Sequence, residues 1–278
     1  MAIKLMPAVQ YTKYGGKYEA LQHVEVPVPT PKKDEVLVKI GAASVNPVDW
    51  KMQNGHLRPF LPTKFPYIPG TDVAGEIVSV GPGVTEFSEG EKVVAWIDLR
   101  GDILITAASG GIGTFAVQLA KLGGAHVTAT CGSRNLELVK SLGADEVLDY
   151  KTQEGSDLKS PSGRKYDVVI HCTTGIPWVK FQSVLKPRGK VLDLVPSAAG
   201  FARNLFTKFS FSKKKLVLLF LYPNSKDLKI VVDLVKEGKL KTLIDSKFSL
   251  EEAKDAWKKS SEGHATGKIV VVVDEAVQ

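Results

Sequence analysis

The stretch Asp102–Gly113, DILITAASGGIG, constrains this chain more than any other. A short run of β-forming residues, Ile103-Leu104-Ile105-Thr106, ends in small residues and three glycines, Gly110, Gly111 and Gly113. An apolar pattern at helical spacing follows at once, through Phe115, Val117, Leu119, Ala120 and Leu122. Strand, glycine turn and helix in that order form the setting in which a glycine fingerprint marks a dinucleotide site. Glycines let the backbone approach a pyrophosphate, and the helix N-terminus faces its charge. The bland alternative is a tight structural turn. Further strand–helix units downstream favour the nucleotide reading.

From about Asp102 the rhythm is that of a doubly wound parallel sheet. Strands are predicted over 103–106, 126–130, 146–149, 167–171, 190–195 and 216–221, with helices over 114–122, 135–142 and 178–186. Ser249-Leu250-Glu251-Glu252 reads as a capping box opening a helix to about Ser261, and a last strand is predicted over Lys268–Val273. Residues 1 to about 97 are different: Val36–Ile40 and Gly75–Gly81 alternate, and prolines cluster at 27–31 and 59–69. Short strands with Gly/Pro turns suggest a barrel-like β domain. The expected fold is α/β, with a cofactor domain over 99–225 and a β-rich substrate domain from 1–98 and 226–278.

Composition narrows the function. A net charge of +7 suits an anionic cofactor or an anionic membrane surface. The lysines are scattered without interleaved aromatics, which argues against nucleic acid. Two cysteines, Cys131 and Cys172, with no CxxC exclude a disulfide framework and a cysteine-rich zinc site. The longest apolar run, Leu216–Tyr222, is too short to span a bilayer. The N-terminus has neither an apolar leader core nor the pattern of a cleavable transit peptide. Ser109 lies in AASGG rather than GxSxG, so a hydrolase elbow fails. The five histidines show no metal-binding spacing, and each reads as structural or exposed.

NAD and NADP are told apart near the end of the second strand of such a sheet. Here His126–Thr130 runs into Cys131-Gly132-Ser133-Arg134-Asn135, with no acid before Glu137. Ser133 can donate a hydrogen bond and Arg134 a charge-assisted contact to a phosphate, so NADPH is favoured. Ser133 as a simple helix cap is the competing reading, and the two are compatible.

The run Gly70–Gly81 (GTDVAGEIVSVG), then AASGGIG, then Leu142-Gly143-Ala144-Asp145 resembles the medium-chain dehydrogenase/reductase superfamily, and within it the zinc-free quinone oxidoreductases. The resemblance covers nearly the whole chain and implies a GroES-like β-rich catalytic domain beside a doubly wound parallel Rossmann sheet. Zinc-dependent relatives carry His-Glu where this chain has Thr71-Asp72, and a cysteine ligand in the segment Ser44–Asp49. Thr71, Val45 and Asn46 are not zinc ligands of the usual kind. By position the resemblance makes Asn46 and Tyr67 catalytic, lining the nicotinamide and substrate cleft, with Tyr67 able to donate to a substrate carbonyl. Packing for Tyr67 and loop capping for Asn46 are the alternatives. It makes Ser109, Gly110, Gly111, Ile112, Gly113, Ser133, Arg134, Tyr150, Cys172, Thr173, Thr174 and Lys268 cofactor-binding, with a solvated Lys268 equally open. It further implies hydride transfer from NADPH to a quinone or to the C=C bond of an α,β-unsaturated carbonyl, a homodimer, and a chloroplast-envelope address.

One departure stands out. Between Glu89–Ala95 and the first Rossmann strand this chain has only Trp96–Gly101, where the family carries several dozen residues. The expected consequence is a β domain short of closing strands, with exposed edges, and a nicotinamide pocket lacking part of its wall. The shortening motivates an alternative, a non-catalytic NADPH-binding or membrane-peripheral protein. Lys213-Lys214-Lys215 beside Leu216–Leu221 is the feature that would meet an anionic lipid surface; an edge strand is the simpler reading of that run.

Overall fold

The computed structural model describes residues 4–33, 35–56, 58, 64–70, 73–83, 101–195, 200, 203–204, 213–219 and 225–273. Backbone contacts divide the chain into two units, residues 1–91 with 244–278, and residues 92–243. The boundaries drawn from sequence lie at 98 and 225 instead. Thr71, Asp72, the 96–100 junction and residues 220–221 lie outside the described residues.

The unit over 92–243 is built on six parallel strands, β5 (Asp102–Ile105), β6 (His126–Cys131), β7 (Glu146–Asp149), β8 (Tyr166–His171), β9 (Leu185–Asp193) and β10 (Lys215–Leu218). They lie in the order β10-β9-β8-β5-β6-β7. The order reverses beside β5, between β6 and β8, which creates the switch-point crevice at the strands' carboxyl ends. Helix α2 (Gly113–Leu122) and α3 (Leu136–Ser141) follow β5 and β6. Val117 and Ala120 pack with Ile103, Ile105, Val127, Ala129 and Val139 in one core. The opposite face packs Leu104, Tyr166, Val169 and Val191 against Phe181 and Val184 of α5 (Trp178–Val184). Strands apolar on both faces are what a sheet covered on both sides requires.

Where β5 and β8 begin, Asp102 is bound by Lys186 (2.8 Å) and Arg164 (3.0 Å), while Lys186 also reaches Asp167 (2.7 Å). Burial alone would raise the Asp102 pKa, but the hydrogen bonds and charges of Lys186 and Arg164 outweigh it and hold it below the usual carboxylate range. Near the exit from this unit, the buried Gln118 side chain of α2 accepts from Lys241 N–H (2.8 Å) and donates to Lys241 C=O (3.0 Å). It thereby pins the last residues before 244 to the cofactor helix.

In the other unit, β1 (Leu5–Gln10) and β2 (Gln22–Pro27) form an antiparallel pair. A second sheet has the order β11-β12-β3-β4, from Ile244–Ser249, Lys268–Val272, Val36–Ser44 and Val73–Val80. Helix α1 (Pro47–Gln53) follows β3, and a helix over Ala253–Glu262 precedes β12. Among the described strands β4 lies at the edge of its sheet, with Val73, Ile77 and Val78 exposed.

Several boundaries differ from expectation. The capping box forms: Ser249 N–H donates to Glu252 (2.9 Å) and Glu252 N–H to Ser249 Oγ (3.3 Å). It closes a turn, and the α-helix starts only at Ala253. β9 begins at Leu185 rather than 190, directly after α5, because an irregularity between its pairings with Tyr166 and Val168 absorbs the Pro187-Arg188-Gly189 segment. A helix over Ser225–Lys236 adds to the expected elements; Leu228, Val231, Val232 and Val235 recur at i, i+3, i+4 and i+7, the pattern of an amphipathic helix, with Leu228 and Val232 exposed.

Candidate cofactor and active site

The glycine turn is shaped by backbone approach. Ala107, directly before it, has φ of 50°. A Cβ on Gly113 would lie 2.6 Å from Ala108 Cα and would collide with the Ala107 carbonyl oxygen. No side chain fits there, so α2 starts hard against the end of β5. Gly110 and Gly111 keep the turn free of side chains. Thr114, in the first turn of α2, is buried and its hydroxyl has no hydrogen-bond partner among the described residues. Bare backbone, a helix N-terminus and an unused hydroxyl suit a dinucleotide pyrophosphate. Ser109, Gly110, Gly111, Ile112 and Gly113 therefore stand together at the carboxyl edge of β5, with Ile112 46% exposed.

The adenosine side is assembled from the ends of β6 and β7. Tyr150 N–H donates to Cys131 C=O (3.1 Å), which places the two strand ends side by side. The Tyr150 ring lies against Gly132, whose absent Cβ would sit 3.5 Å from Tyr150 Cε1. Ser133 and Arg134 follow on an exposed helical turn. Thus Ser133, Arg134 and Tyr150 share one corner. The β6 strand end supplies no carboxylate; the acid nearest by register is Asp149, opposite Cys131 on β7. Burial, reinforced by Asp149, pushes the Cys131 thiol up to about 11, so it is a neutral packing group.

Cys172, Thr173 and Thr174 follow β8 and line the other side of the crevice, ending at Gly175 with φ of 84°. Sequence reasoning missed what holds this loop. The buried Thr106 Oγ1 accepts from Cys172 N–H (3.0 Å) and lies 2.9 Å from His171 Nδ1. His171 is buried, edge-on to Phe181 at 4.9 Å. Burial lowers its pKa, against the opposing pull of Asp193, which favours the neutral imidazole, and its Nδ1 shares one hydrogen bond with the Thr106 hydroxyl. Burial, reinforced by Asp193, pushes the Cys172 thiol up to about 12; it is no thiolate nucleophile.

In the β-rich unit, Asn46 caps α1, its N–H donating to Asp49 (2.7 Å). Lys268 Nζ donates to Asn46 Oδ1 at 2.7 Å. Two residues assigned separate roles, and 222 positions apart, are one hydrogen-bonded pair; Lys268 is half-buried rather than freely solvated. Asn46 also donates to Ser44 Oγ (3.1 Å). Tyr67 exchanges backbone hydrogen bonds with Tyr11 (3.0 Å each way) and packs near Val45 and Trp50. Its hydroxyl has no hydrogen-bond partner among the described residues. Among the described residues no three His, Cys, Asp or Glu side chains group as a metal site would need.

Comparison with known proteins agrees with this geometry. Residues 32–132 match the family described as alcohol dehydrogenase GroES-like domain, and residues 142–271 the family described as zinc-binding dehydrogenase. The chain is 50% identical to the chloroplast envelope quinone oxidoreductase homolog of Arabidopsis thaliana, covering 98% of this chain and 99% of the relative. This chain belongs to the medium-chain dehydrogenase/reductase superfamily. It is also 29% identical to the NADPH-dependent alkenal/one oxidoreductase, chloroplastic, of the same plant, covering 96% of this chain and 80% of that one. The solved quinone oxidoreductase from Coxiella burnetii superposes with a TM-score of 0.82 at 25% identity, covering 97% of this chain and all of that one. The alignment to the first relative spans 327 positions against 278 residues here, so at least 49 positions (327 minus 278) have no residue of this chain opposite them. That shortfall has the size of the several dozen residues missing from the family pattern.

Proposed function

We propose that this protein is an NADPH-dependent, zinc-independent oxidoreductase that reduces a quinone or the C=C bond of an α,β-unsaturated carbonyl. The observation that carries the reading is the carboxyl edge of the parallel sheet. Its glycine turn has no room for a side chain at Gly113, and its adenosine corner offers Ser133, Arg134 and Tyr150 with no acid on the β6 strand end. When bound, NADPH supplies the hydride; the chain's own groups bind, orient and shield. The first-turn N–H groups of α2 and the Gly110–Gly111 backbone hold the pyrophosphate. Arg134 and Ser133 hold the 2′-phosphate, and Cys172, Thr173 and Thr174 carry the cofactor across the switch point.

In the β-rich unit, the Tyr67 hydroxyl is the donor for a substrate oxygen on which negative charge grows. Lys268, bonded to Asn46, brings a positive charge beside Asn46, the other residue that the family likeness places at the cleft. Zinc independence is supported by Thr71, Val45 and Asn46 at the positions where zinc-dependent relatives carry ligands, and by the occupation of Asn46 by Lys268 and Ser44. The chloroplast-envelope address is proposed from the relatives named chloroplastic. Among the described residues no helix is long and apolar enough to cross a membrane, so attachment to the envelope would be peripheral. β10, at the sheet edge with β9 as its partner, is the proposed strand for pairing in a homodimer.

The test is a fluorescence titration with NADPH and NADH on the purified chain. The expected result is saturable binding that prefers NADPH, with Arg134→Ala weakening NADPH about tenfold or more and NADH little. Equal losses for both cofactors remove the phosphate assignment. No binding by folded protein overturns the oxidoreductase reading, and the non-catalytic NADPH-binding alternative with it, and leaves the membrane-peripheral one.

A further inference from the structure

We infer that Thr106 is the residue that sets the position of the Cys172–Gly175 loop for the nicotinamide half of the cofactor. The inference rests on the cofactor reading above. Thr106 closes β5 on the face opposite α2, next to Leu104 in the core formed with Phe181. Its backbone N–H donates to Ile170 C=O (3.1 Å) and so continues the β5–β8 ladder by one step. The side chain then does what the ladder cannot do, because β8 ends at His171. Oγ1 accepts from Cys172 N–H, the first amide of the loop, at 3.0 Å. The same oxygen shares a hydrogen bond with His171 Nδ1 at 2.9 Å.

Two partners at fixed positions, Cys172 N–H and His171 Nδ1, hold the hydroxyl oxygen in place. Thr106 is buried, so neither bond is exchanged for water. The imidazole is held on its far side as well: Phe181 packs edge-on to it, and His171 C=O accepts from Leu194 N–H (3.1 Å) after β9. Asp193, in register with His171 and holding Val195 N–H (3.0 Å), is the charged group facing the cluster from β9. The loop's first residue is thereby tied to three strands before the chain turns at Gly175. Further along the loop Thr174 and Gly175 are exposed.

The experiment compares wild type, Thr106→Val and Thr106→Ser for binding of NADPH and of its 2′-phosphorylated adenosine half, with hydrogen exchange of the Cys172 amide read without ligand. Valine keeps the shape and removes the hydroxyl. The expected result is faster Cys172 exchange and about tenfold weaker NADPH binding in the valine variant, with the adenosine half bound as in wild type and both properties restored by serine. Equal weakening of both ligands marks general damage to the sheet and overturns the positioning role, as does wild-type NADPH affinity in Thr106→Val. If Cys172 exchange rises as expected but wild type binds neither ligand, the anchor is real and the cofactor reading is what fails, taking the proposed role with it.

Discussion

Replacing Gly113 with alanine is the sharpest test of the architecture, because it strikes packing and cofactor site together. The added Cβ would sit 2.6 Å from Ala108 Cα, with the Ala107 carbonyl oxygen nearer still. Ordinary carbon–carbon contact begins near ~3.5 Å, so the start of α2 must retreat by about 0.9 Å. Both blocking atoms are backbone, and Ala107 is already in the left-handed region at φ of 50°, so neither can yield cheaply. Overpacking of this kind costs about 1–3 kcal/mol. The helix N-terminus is also the proposed pyrophosphate seat, so on that proposal a displacement approaching 1 Å should weaken NADPH at least about tenfold. Gly110→Ala is the internal control. Its Cβ would meet only the Ala107 carbonyl oxygen, at 3.3 Å, which a few tenths of an ångström relieve. It should leave stability nearly unchanged yet weaken NADPH, because the proposed phosphate seat needs bare backbone at this turn. Urea denaturation and NADPH titration on both variants read the outcome. Wild-type stability in Gly113→Ala would refute the close helix–strand approach. Wild-type affinity in Gly110→Ala would refute the placement of the phosphates on this turn.

Other outcomes follow from the charged groups and the free hydroxyl. The folded-state pKa of Asp102 lies below its unfolded value, so its contribution is present above about pH 4 and is lost as pH falls through the folded value. Asp102→Asn should cost about 1–2 kcal/mol at pH 7, because Lys186 and Arg164 are partly exposed, and should flatten the acid limb of a stability–pH curve. A curve parallel to wild type would contradict this. Tyr67→Phe should lower kcat/KM about 100-fold with NADPH affinity unchanged, measured with a quinone and with an enone; unchanged turnover would leave Tyr67 a packing residue.

How much of this could be read from the chain alone follows the range of the interactions. The glycine turn is a local device: the strand, the turn and the helix are contiguous, and each has its own composition, so Gly110 to Gly113 announce themselves. The adenosine corner is nearly as local, because Ser133 and Arg134 follow directly on β6. Tyr150, which lies against Gly132, was placed there by family likeness, and only the fold brings it to that glycine. Thr106 and His171 are different. They are 65 residues apart, and each alone looks like ordinary strand-end sequence; only the parallel β5–β8 pairing makes them neighbours. The same holds for Asn46 and Lys268, 222 residues apart, which meet because β12 pairs with the end of β3 through Val270 and Ser44. The helix over Ser225–Lys236 is local and legible, since Leu228, Val231, Val232 and Val235 recur at i, i+3, i+4 and i+7 whether or not that stripe is covered. Sequence therefore exposes the parts that contact the cofactor through backbone, which glycine and strand endings encode directly. It hides the side-chain bonds that hold those parts in place, because they depend on strand pairings no local pattern records.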